Sequence, residues 1–209
     1  MDTEQLIKIG SSYAGCGAIG HRADEYLEIC WPTDRPEHRA RMAKGQSSCA
    51  LFATGLWHKL GLVHPLIEAP YWGDPKSPVA QRNDAVSRIE KIAREFGAWR
   101  GPETPPGWGA VAIIGNDTDK NYGGPGHVLV TTFCSAGGYC ESVDGGQVYK
   151  PERDNEQWGG YGITMRVRAW ERVGGIWWLH TADHPYEPGR HGPGRRLYGW
   201  VDCEKLPVS

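Results

Sequence analysis

The 209-residue sequence predicts an α+β domain built on an antiparallel sheet, and two observations carry that expectation. Stretches with apolar residues at helical spacing lie before residue 97, whereas short apolar runs of strand length take over from residue 110. Glycine (29) and proline (15) are spread along the chain without a repeat period, so turns are frequent and a solenoid is excluded.

Taken in order, residues 1–30 read as a helix, a glycine-rich break and a second helix over about 22–29, which Trp31-Pro32 ends. A charged, proline-bearing connector over 32–46 leads to GQSSCALFATGLWHKLG. There Cys49, Phe52, Ala53, Leu56, Trp57 and Leu60 share one helical face. Ser47 or Ser48 is the expected N-cap, and Gly61 the stop. Four prolines make 62–78 a loop, and 79–96 is a second amphipathic helix. Strands are expected at 110–114, 127–133, 139–143, 163–169, 176–179 and 197–201, with an exposed loop of flap character over 181–195. No domain boundary is visible, so one domain spans 1–209, its core at about 45–180 and a loop and closing strand after it.

Bulk composition removes several function classes. Charged residues make up 23% with a net charge of -2, which gives no polybasic signature and argues against a nucleic-acid partner. No run approaches the roughly 20 apolar residues of a membrane span. The acidic N-terminus lacks an apolar signal core, so synthesis in the cytoplasm without a signal peptide is expected. Delivery to a periplasm or target cell would then need a specialised route. Ten tryptophans and nine tyrosines against three phenylalanines suit core corners and ligand grooves alike. The six cysteines show no CxxC. Cys134 and Cys140 flank a hairpin turn and are the best candidate pair, either as a disulfide or as two reduced thiols. No HExxH or HxH is present, and the calcium-like run at 117–121 fails because Tyr122 and Val128 occupy the glycine and glutamate positions. Neither a metal nor another cofactor is expected.

Three residues carry the candidate chemistry. A first-turn position places Cys49 at the positive end of the helix dipole, which favours the thiolate over the thiol. A cysteine on an apolar stripe is otherwise a small core side chain, so a nearby base decides the matter. His127 opens the strand HVLVTTF after the permissive GGPG loop, and imidazole exchanges protons near neutrality. A hairpin through 135–138 returns Asp144 beside His127, where a carboxylate could orient the ring. Glu141 and Gln147 are alternatives, and Asp144-Gly145-Gly146 also reads as an ordinary turn. Gln46, one turn before Cys49, is either an oxyanion donor alongside the Cys49 amide or a solvent-facing loop residue.

QSSCALF, GWGAVAII, GGPGHVLVTTF and ESVDGG together resemble the papain-like peptidoglycan hydrolases, in particular the NlpC-type and CHAP-type cysteine peptidases and amidases, over roughly 45–150. The resemblance implies a papain-like fold, with the nucleophile helix packed on an antiparallel sheet. It also implies that Cys49 is nucleophile, His127 general base and acid, and Asp144 the orienting group. The implied substrate is the stem peptide of bacterial cell wall, cleaved by a phage lysin or a secreted toxin, and a toxin would require an immunity protein. The Asp-Cys-Ser-Gly signature is replaced by Ser48-Cys49-Ala50-Leu51. Two rival readings stand beside it: an acyltransferase or protein-directed protease, and a non-catalytic aromatic-rich binding module of a phage or secretion apparatus.

Overall fold

A computed structural model describes residues 1–32, 48–68, 85–115, 126–135, 138–148, 161–181 and 195–208. The helices are α1 (Thr3–Ser12), α2 (Ala23–Cys30), α3 (Cys49–Lys59), α4 (Pro65–Glu68) and α5 (Ala85–Glu95). The strands are β1 (Trp99–Arg100), β2 (Val111–Gly115), β3 (His127–Cys134), β4 (Tyr139–Val148), β5 (Tyr161–Val173), β6 (Ile176–Thr181) and β7 (Arg195–Val201), followed by a 3-10 turn at Cys203–Lys205.

All strand pairings are antiparallel, in the order β1-β7-β2-β3-β4-β5-β6. β6 then returns to β7 through Trp178–Arg196 and Leu179–Arg195, so β2 to β7 close into a six-stranded barrel. β1 is the strand left over, paired among the described residues only with the far end of β7. The expected α+β, papain-like arrangement of a helix on an open sheet is thereby overturned. The chain builds a β-barrel with helices on its wall.

The physical reason lies in the two faces of each strand. Alternation places Ala112, Ile114, Leu129, Cys140, Trp170, Leu179 and Leu197 together in the lumen. Their neighbours Val111, Ile113, Val128, Val130, Val143, Ile163 and Val201 pack with the helices in a second, larger cluster. β2 is accordingly buried at every position. An apolar run of this kind says that both faces are covered, and not whether the sheet closes.

Several element boundaries differ from expectation. The proline-rich segment after α3 contains the single-turn α4, started by His64, whose Nδ1 accepts from the Leu66 amide at 3.0 Å. β4 and β5 run further than their apolar patterns, and β1 carries no pattern long enough to read. Residues 69–84 and 182–194, with the start of the expected second amphipathic helix and most of the expected flap, lie outside the described residues.

α3 ends as expected. Gly61 takes φ 89°, its amide donates to the His58 carbonyl, and the Leu62 amide donates to the Trp57 carbonyl, both at 2.9 Å. Its start differs from expectation. Ser48 occupies the N-cap position but makes no side-chain capping bond; its hydroxyl instead shares a short hydrogen bond with the Tyr26 hydroxyl of α2. Ser48 is fully buried, so that partner replaces the solvent a normal cap would face. α2 and α3 cross closely at Gly55, where a Cβ would fall 1.7 Å from the Ile29 carbonyl oxygen.

Candidate active site

The barrel's antiparallel order puts the start of β3, the end of β4, the start of β5, the end of β6 and the start of β7 at one rim. His127 is the first residue of β3 and is only 4% exposed. Val130 pairs with Val143, so the returning strand carries Asp144 towards His127, as the hairpin reading requires. His127 Nε2 lies 2.8 Å from Asp144 Oδ2 and donates to it, since the carboxylate can only accept.

Directly after Asp144 the β4–β5 ladder skips: Asp144 pairs with Thr164, and the next pair is Gln147 with Gly162. Gly145 and Gly146 therefore form a β-bulge inside a continuous strand, with Gly146 at φ 68°, and not the ordinary turn that the sequence also allowed. A Cβ on Gly145 would meet Phe52 Cβ at 2.6 Å and the Ser48 carbonyl oxygen at 3.2 Å. The missing side chain is what admits the first turn of α3 against β4. Cys49, the first residue of that helix, hydrogen-bonds His127. With Nε2 engaged by Asp144, Nδ1 is the ring nitrogen left for the thiol.

Burial is the largest single influence on His127 and acts against its charged form. The hydrogen bonds to Asp144 and Cys49, with the charges of both, outweigh it and raise the imidazole above its ordinary value. Burial likewise opposes ionisation of Asp144, which is completely enclosed. The His127 hydrogen bond and the Arg168 guanidinium prevail, and its pKa falls to about 2.

Two residues that the sequence reading missed complete the carboxylate's surroundings. Ser142 Oγ donates to Asp144 Oδ1 at 2.6 Å. Arg168 on β5 donates through Nε to Ser142 Oγ at 3.0 Å and through Nη2 to Asp144 Oδ2. Both carboxylate oxygens are thus engaged, by donors from β3, β4 and β5, which fixes the carboxylate. A signal existed in the spacing: Arg166 and Arg168 alternate with the exposed Met165 and Val167, a strand whose charged side faces inward.

The remaining candidates separate. Glu141 points away from the site, on the outer wall, where it accepts from the Tyr139 hydroxyl at 2.9 Å. Gln147 lies beyond the bulge, and its side chain is outside the described residues, as is all of Gln46. Cys134 and Cys140 are cross-strand partners with their sulfurs 3.5 Å apart, and both are free thiols. Among the described residues, no group of three or more His, Cys, Asp or Glu side chains could hold a metal ion.

Comparisons give this chain no relative. No family model, no curated protein and no solved structure matches it. What it does has to be argued from Cys49, His127 and Asp144 themselves. Among the described residues no helix is long and apolar enough to cross a membrane.

Proposed function

We propose that the chain is a cysteine hydrolase acting on amide bonds, with the stem peptides of bacterial cell wall as substrate. One observation carries the chemistry: Cys49 at the head of a helix hydrogen-bonds an imidazole whose other nitrogen is held 2.8 Å from a buried carboxylate. Cell-wall peptide as the substrate rests on the short motifs around these residues.

In this reading the Cys49 sulfur attacks the scissile carbonyl while His127 holds the proton the thiol gave up. The Cys49 backbone N–H, at the positive end of α3, faces the oxygen on which negative charge develops. Gln46 is the proposed second donor. His127 then passes its proton from Nδ1 to the leaving amine. Water, deprotonated by the now neutral ring, attacks the thioester and releases the acid. Asp144 keeps the ring in the tautomer with its proton on Nε2 and stabilises the imidazolium, while Ser142 and Arg168 keep the carboxylate ionised.

Digestion of purified sacculi, with release of soluble fragments followed by mass spectrometry, tests the proposal. The intact protein should release fragments with new amino termini, and Cys49→Ala should release none. Equal release by both proteins would remove Cys49 from the chemistry. Absence of release, with a Cys49 that iodoacetamide labels only on unfolding, leaves the binding module.

A further inference from the structure

Beside Cys49, the lumen and its rim hold more positive charge than the candidate site consumes. Thr164, Arg166, Arg168 and Trp170 alternate along the inward face of β5. Arg195 occupies the same face of β7 as the lumen residue Leu197, two positions before it and at the rim that carries His127. Arg168 is committed to Asp144 and Ser142. Among the described residues, the other two arginines are not committed. Arg166 Nε is buried without a hydrogen-bond partner, and the Arg195 side chain is exposed at the rim.

These charges are close neighbours. Arg195 is near enough to Cys49, Asp144, Arg166 and Arg168 to feel the charge of each. Arg195 is exposed at the rim, yet the surrounding protein and the two like-charged arginines lower its pKa, and Asp144 and Cys49 only partly offset them. A buried donor without an acceptor is costly, and the guanidinium groups of Arg166, Arg168 and Arg195 repel one another. An arrangement of this kind is relieved by a second anion. A planar carboxylate matches the guanidinium fork.

We infer that Arg166 and Arg195 form an anion subsite beside Cys49, which selects amide substrates bearing a free carboxylate close to the scissile bond. The inference rests on the proposed thiol chemistry and narrows its substrate class. A neutral peptide would leave the Arg166 Nε–H without an acceptor. A carboxylate placed there orients the neighbouring carbonyl over the sulfur.

Two alkylating reagents of nearly equal size separate charge from reactivity: iodoacetate, which carries the carboxylate, and iodoacetamide, which does not. The measurement is the ratio of their rates at Cys49, followed by peptide mapping, in the intact protein and in Arg166→Gln, Arg195→Gln and the matching lysine variants. The expected ratio favours iodoacetate relative to a small free thiol. It should fall about fivefold or more in each glutamine variant, since each removes one nearby charge. It should survive in the lysine variants, which keep the charge, and weaken with added salt. Thermal melts of all four variants identify any that fail to fold, and the remaining variants decide the question. A ratio that the glutamine changes leave untouched assigns any preference to His127 and overturns the subsite. A Cys49 that neither reagent labels in the folded protein removes the thiol chemistry, and the inference with it.

Discussion

His127 and Asp144 hold each other in their charged forms, and the consequences for stability run in opposite directions along the pH axis. The Asp144 carboxylate has its folded pKa lowered to about 2. Its contribution is complete above the unfolded value of about 3.9 and is lost as pH falls through about 2. For His127, whose folded value is raised, the contribution is complete below about 6.5 and is lost as pH rises through the folded value. Urea titrations at a series of pH values should therefore show an acid limb that Asp144→Asn abolishes and an alkaline limb that His127→Gln abolishes. Asp144→Asn also leaves the buried Arg168 without its counter-charge, so the loss near neutrality should reach about 3–5 kcal/mol. A loss below about 1 kcal/mol would show that the pair is solvated and the enclosure of Asp144 incorrect.

At the scale of elements, the site depends on how closely α3 approaches its neighbours. Gly145 admits its first turn to β4, and Gly55 admits its middle to α2. Gly145→Ala should push the first turn of α3 outward, destabilise by about 1–3 kcal/mol and slow alkylation of Cys49. Gly55→Ala should cost at least as much, because the obstacle there is the Ile29 backbone and not a movable side chain. Chemical denaturation and labelling kinetics on the same samples separate the two effects. If Gly145→Ala labels at the unaltered rate, the bulge has no part in aligning the thiol with His127.

The hairpin β3–β4 was legible in the sequence because a short turn sets the pairing beside it, although the register shift between Thr131 and Phe133 was not. Helix α3 was legible because the apolar stripe and Gly61 frame it. The bulge was not: a glycine pair after an aspartate has the composition of a turn, and only the ladder on its far side reveals that the strand continues. Arg168 was hidden for a related reason. On β5 the apolar residues Met165 and Val167 are each 43% exposed while the charged ones point inward, the reverse of the usual alternation.

Across the molecule, closure rests on the pairing of β6 with β7, seen among the described residues at Trp178–Arg196 and Leu179–Arg195. Those strands are separated by residues 182–194, and local pattern carries no information about so distant a pairing. That is why the sequence indicated antiparallel strands and missed the barrel. Closure makes Leu179 and Leu197 lumen residues, so Leu197→Ala should cost about 2–5 kcal/mol, read as a lowered midpoint in urea. Met165→Ser, on the exposed outer wall, should change stability by less than about 0.5 kcal/mol. Comparable losses in both would mean that the interior and exterior of the barrel have been exchanged.

The order of the site's members along the chain has a consequence for synthesis. Cys49 leaves the ribosome first, His127 and Asp144 follow, and Arg168 comes from the fifth strand. At the ordinary pace of about 5–20 residues per second, the thiol waits several seconds for its imidazole. It waits longer for β7, whose arrival closes the wall. A nascent chain thus carries its sulfur without the groups that would set it to work. On the proposed chemistry, the thiol would stay unactivated until His127 and the strands that hold it are in place.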